Sequence, residues 1–125
     1  MKIKLSYLAI ALTVGTLSYN CKKEKAEDPV VEVDPATCDP VSFSSDIQPI
    51  LNNNCAFSGC HSQASSADGI NLSSHAGATA VASSKISGSI NHQAGFSPMP
   101  QNSPKLSNAD IKKIECWIAD GRPNN

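Results

Sequence analysis

Cys55-Ala56-Phe57-Ser58-Gly59-Cys60-His61 carries more reactive chemistry than any other seven residues of the chain. It holds two thiols separated by four residues, with an imidazole directly after the second. Three kinds of chemistry use such a set. The two thiols can close a small disulfide loop in an oxidising compartment. With His61 and a fourth ligand, His75 or His92, they can hold zinc. Sulfur and imidazole held side by side can also fix a larger iron-containing group.

Around that segment the chain has little with which to build a core. It has 125 residues, enough for one small domain, and only 5% of them are aromatic. A small domain this poor in large side chains needs a staple: a disulfide, a metal or a cofactor. There are five cysteines to supply it: Cys21, Cys38, Cys55, Cys60 and Cys116. Charged residues make up 17% and the formal net charge is −1. That balance gives no reason to expect a nucleic-acid partner. The sequence also shows no catalytic triad, phosphate-binding loop or paired carboxylates, so an enzyme is not the expectation.

Two helices flank the segment. Upstream, Phe43, Ile47, Ile50 and Leu51 recur at helical spacing and predict a helix over 43–54. Ser44 or Ser45 would cap it, with Asp46 in its first turn. Pro49 is tolerable only in or near that turn. Downstream, Ser107-Asn108-Ala109-Asp110 has the shape of a capping box. Ile111, Ile114 and Ile118 then line one face beside Trp117, and Gly121 and Pro123 provide the stop. Between them, residues 62–106 are rich in Ser, Ala, Gly and Asn. Ala76–Ile86 could form a short helix there, and the remainder reads as loops.

The N-terminal residues read as an address, not as fold. Lys2 and Lys4 precede a mostly apolar run from Leu5 to Leu17, about a dozen residues, too few to span a bilayer. The run leads to Cys21 and resembles a bacterial lipoprotein signal, in which the cysteine is lipidated and becomes the new N-terminus. Here Leu17 stands four places before Cys21, and Asn20 precedes it, where the usual pattern has leucine three places before and a small neighbour. The expectation is a signal peptide over 1–20, a lipid on Cys21, a charged, proline-containing tether over 21–40, and a folded domain over 41–125. The mature protein would then sit outside the cytoplasm, periplasmic or on the cell surface, tied to a membrane. An ordinary cleaved signal, with Cys21 free or removed, is the alternative.

Several features occur together: Asp46-Ile47-Gln48-Pro49-Ile50-Leu51, the C-x4-C-H segment, Phe96-Ser97-Pro98-Met99-Pro100, and a last helix ending Cys116-Trp117-Ile118-Ala119-Asp120-Gly121. Over about residues 41–123 the combination resembles small class I c-type cytochromes, most closely the planctomycete-type cytochrome c domain. The usual cytochrome motif has two residues between the cysteines; this chain has four. The resemblance implies an all-α fold wrapped around one covalent haem c, with long loops. Cys55 and Cys60 would form its thioethers, His61 would be the proximal iron ligand, and Met99, stiffened by Pro98 and Pro100, the distal one. His92 is the competing distal ligand, and His75 is expected at the surface.

In such proteins the terminal helices pack together. A Cys38–Cys116 disulfide would staple that contact, and Trp117 would pack between helices or on the haem edge. The implied function is electron transfer to redox partner proteins by a membrane-tethered head. Two other readings stay open: a five-coordinate haem sensor or enzyme, and a haem-free lipoprotein stapled by disulfides.

Overall fold

The computed structural model describes residues 37–125. The expected signal, Cys21 and the tether up to residue 36 lie outside the described residues. Every regular element among the described residues is helical: a π-turn at Phe43–Ile47 running into α1 (Gln48–Asn54), then α2 (His75–Ala80), α3 (Ser83–Ile90) and α4 (Asn108–Ala119).

The first element starts one turn earlier than its serines suggest. Ser42, not Ser44 or Ser45, is the cap. Its hydroxyl accepts from Ser45 N at 3.4 Å, and its own N–H donates to Asp46 Oδ2 at 3.1 Å. The reason lies in burial. Phe43 and Ile47 are both buried, so Ser44 and Ser45 between them must already be helical. Ser42, with φ −97° and ψ 136°, keeps the extended backbone that a cap needs. Pro49 falls in the first two positions of α1, where a missing N–H costs least.

α4 forms as its sequence predicts, with one change of detail. Ser107 Oγ accepts from Asp110 N at 3.1 Å and donates to Asp110 Oδ2 at 2.7 Å. Asp is one methylene shorter than Glu, and its carboxylate meets the capping hydroxyl instead of the cap's backbone N–H. At the other end Gly121 takes φ +82°, and Arg122 N bonds back to Trp117 O at 2.9 Å. This is a glycine-closed helix end.

The first element and α4 pack directly on one another. The Phe43 and Trp117 rings meet at a 37° tilt with centroids 5.5 Å apart, and Trp117 is 1% exposed. Its indole N–H donates to Pro123 O at 3.0 Å. Lys113 Nζ meets Asp46 Oδ1 at 2.9 Å, and the Asn125 side chain accepts from Phe43 N at 2.7 Å. A Cys38–Cys116 disulfide spans 78 residues of chain. A loop that long gives a crosslink a stabilising contribution of roughly 4 kcal/mol in the chain-entropy account. The same bond ties the chain into the fold from Cys38, three residues before the expected domain start at 41.

The middle of the chain departs from expectation twice. The single helix expected over Ala76–Ile86 is two helices, broken at Val81 and Ala82, and the second runs on to Ile90. The break has a partner: Arg122 Nη1 donates to Thr79 O at 3.2 Å and to Val81 O at 2.8 Å, satisfying carbonyls at the end of α2. His75, expected at the surface, is half-buried. Its ring meets the edge of Phe43 at 4.9 Å, and its Nε2 bonds Arg122 O at 2.9 Å. As the first residue of α2, capped by Ser74, it closes the gap between Phe43 and the C-terminal tail.

Candidate functional site

α1 ends at the first cysteine. Cys55 N and Ala56 N both donate to Leu51 O at 2.8 Å, and the Asn54 side chain donates to Ile50 O at 2.9 Å. The chain then makes a closed excursion. His61 N returns to Cys55 O at 3.0 Å, and Cys60 N bonds Phe57 O at 3.0 Å. Gly59, at φ +84°, turns the loop in a conformation that other residues rarely adopt. The four residues between the thiols are thus taken up in a turn, and His61 is brought back beside Cys55.

The imidazole of His61 is held by one nitrogen. Nδ1 lies 3.1 Å from Ala67 O and 3.3 Å from Ile70 O. Carbonyls only accept, so in the neutral ring Nδ1 carries the proton. Nε2 is left with a bare lone pair and has no partner among the described residues. That is the state in which an imidazole binds a metal. The tight turn at Ala67–Gly69, with Ser66 and Asp68 at positive φ, supplies the first carbonyl. Both acceptors are backbone atoms of unremarkable residues, so no side-chain pattern in the sequence marks them.

Two adjoining cavities open beside this ring. The more apolar one, about 400 Å³, is walled by Ile47, Leu51, Leu72, Ile86, Ile90 and Trp117. The other, about 460 Å³, lies against Phe57, Cys60 and Pro100. Cys55, His61 and Met99 line both. Three of the four expected haem-binding residues therefore border both spaces, and Cys60 borders one. Cys55 and Cys60 are the free thiols among the described residues. Burial, and then the nearby Cys60, push the Cys55 thiol up to about 11, so its sulfur stays protonated at neutral pH.

Met99 comes from the loop after α3. Its N–H donates to Ser89 O at 3.0 Å, and its carbonyl lies 3.0 Å from His92 Nε2. His92 is exposed and borders neither cavity; its ring bonds the methionine segment. The Phe96 ring packs on Gly88 of α3, where a Cβ would overlap it. Lys85 and Asp68, which both line the more apolar cavity, pair at 3.4 Å, both well exposed. They are the only Asp, Glu, Lys or Arg between residues 47 and 104.

These donors suit a haem. An apolar slot, two reduced thiols at one end, an imidazole with a bare nitrogen and a thioether match what covalent haem requires. They suit a bare ion less well. Among the described residues no three His, Cys, Asp or Glu side chains are grouped to hold a metal, and His75 and His92 are bonded elsewhere. Sequence reading missed Arg122, His92 as a brace, and the two carbonyls behind His61. A cation just past a glycine-closed helix end is a signal that could have pointed to Arg122. No protein-family model, curated protein or solved structure matches the chain, and the chemistry of the site rests on its own residues.

Proposed function

We propose that this chain is a single-haem c-type cytochrome, of the kind resembling planctomycete-type domains, that passes single electrons outside the cytoplasm. The observation that carries the reading is the convergence of Cys55, His61 and Met99 on both adjoining cavities, with His61 turned to leave Nε2 free. Cys55 and Cys60 would hold haem c by adding their S–H groups across its two vinyl bonds. Nothing leaves in that addition, and both sulfurs must be reduced. His61 and Met99 would ligate the haem iron. When bound, haem supplies an Fe(III)/Fe(II) couple, and a His/Met pair favours the ferrous side more than two histidines do.

The chain's own residues do the rest. The Ala67 and Ile70 carbonyls fix the tautomer and angle of His61. Ile47, Leu51, Leu72, Ile86 and Ile90 would exclude water from the slot. With His61 and Met99 both bound to the haem iron, no site would be left for substrate, which favours a carrier over an enzyme. A lipid on Cys21 would tether the head so that it visits redox partner proteins at a membrane.

The test is expression in a host with a working haem-ligation system, followed by denaturing mass spectrometry. The expected result is a coloured protein whose mass carries one haem that survives unfolding, and loss of it in the Cys55→Ser/Cys60→Ser variant. A colourless product with Cys55 and Cys60 joined to each other would overturn the reading.

A further inference from the structure

We propose that His92 is a positioning residue that clamps Met99, the thioether ligand of the proposed haem, by holding the carbonyl of the methionine's own peptide. The proposal rests on the electron-carrier reading above and deepens it. The geometry is a closed ring. α3 ends at Ile90, and the Ser89 carbonyl near its end collects two donors, His92 N at 3.2 Å and Met99 N at 3.0 Å. His92 then takes a left-handed backbone, φ +55°, which turns its side chain away from the helix. Its Nε2 lies 3.0 Å from Met99 O. Because that oxygen can only accept, Nε2 must carry a proton and donate.

Both polar atoms of the Met99 backbone are thus bonded to the end of α3, one through Ser89 and one through His92. The intervening segment is held as well: Gln93 N donates to Gly88 O at 2.9 Å, and Phe96 N to Gln93 O at 3.2 Å. Without the His92 bond, Met99 is fixed on one side only. Its thioether would then leave iron more readily and admit an outside ligand.

The test uses the haem-loaded protein and two variants, His92→Phe, which keeps a ring and loses the donor, and His92→Gln, which restores an N–H donor. Haem content and helicity are matched first. The readouts are the thioether-to-iron(III) charge-transfer band, the reduction potential, and the affinity of the ferric protein for added imidazole. His92→Phe should weaken the band, lower the potential and bind imidazole roughly five-fold more tightly, the factor that losing one net neutral hydrogen bond brings. His92→Gln should return all three toward the parent. Equal behaviour of the parent and His92→Phe overturns the proposal.

Should His92→Phe not fold, nitrogen NMR of the parent reads the same bond. A His92 ring locked as the Nε2–H tautomer supports the clamp, and a freely averaging mixture overturns it. A parent that carries covalent haem but lacks the thioether band overturns the clamp and leaves the covalent-haem reading standing. A parent without haem overturns the functional reading, and the NMR experiment still decides whether His92 holds Met99.

Discussion

The pair formed by the first element and α4 can be set beside the cleft wall built from residues 55–100. The first is charged, capped and crosslinked. Asp46 pairs with Lys113, Ser42 and Ser107 cap their helices, Trp117 fills the contact, and a disulfide closes it. The second contains one exposed ion pair, short helices and loops, and supplies most of the lining of a cavity that Ile47, Leu51, Ile114 and Trp117 of the first complete. Its polar groups are bonded locally, as the Ser89, His92 and Met99 ring illustrates. Its apolar side chains are split between the core, where Ala78 and Ile90 are buried, and the cavity that Leu72 and Ile86 line. Short helices and loops around a cavity open locally at lower cost than a capped, crosslinked helix pair. One half holds the chain together, and the other supplies most of the cavity lining.

The comparison breaks most visibly in hydrogen exchange. In haem-free protein, amides of α4 and of Ile50–Asn54 should be protected far longer than those of 61–72 and 92–99, and haem attachment should raise protection mainly in the second group. Uniform protection before attachment would erase the contrast. Next in size, Trp117→Ala should cost about 3–5 kcal/mol in denaturant unfolding, because it empties the contact between the first element and α4. Replacing Cys38 and Cys116 together by serine should cost about 2–4 kcal/mol, read as a lower denaturation midpoint. Ser107→Ala, which removes one cap, should cost about 1 kcal/mol in the same assay.

pH sharpens the contrast at the smallest scale. The hydrogen bond from Lys113, with that from Ser42 N, holds Asp46 below its usual 3.8. A lowered carboxylate contributes stability above its unfolded value and loses it as pH falls. Asp46→Asn should therefore flatten the acid limb of the stability curve. Cys55 shifts the other way, from 9.0 to about 11 in haem-free protein. Its contribution is present below pH 9 and drains away as pH rises through about 11. Cys55→Ser should flatten the alkaline limb and leave the acid one unchanged. A reversed pattern would mean that the two regions do not titrate as their contacts imply.

Much of the first region was legible from local rules. Apolar spacing marked Phe43, Ile47, Ile50 and Leu51, and a capping serine with a closing glycine marked α4. Those signals span three or four residues, and the physics behind them is equally local. The cleft wall was legible mainly as a deficiency. Residues 62–106 were too poor in apolar mass to pack alone, yet nothing in them showed that α2 and α3 are separate helices. That break depends on Arg122, more than forty residues away. His75 looked like a surface histidine because no neighbour in sequence explains its burial; Phe43 and Trp117 do.

By itself the amino-acid order determined the two flanking helices, the thiol and imidazole spacing around Gly59, and the scarcity of charge along the cleft wall. Each follows from backbone geometry or side-chain chemistry within a few residues. Tertiary structure alone decided that Met99 faces the same space as His61, that the Ala67 and Ile70 carbonyls leave Nε2 bare, and that His92 grips the methionine's carbonyl. Those contacts join segments whose proximity is set by how the helices pack, and that packing is the sum of many distant burials that no short window of sequence contains.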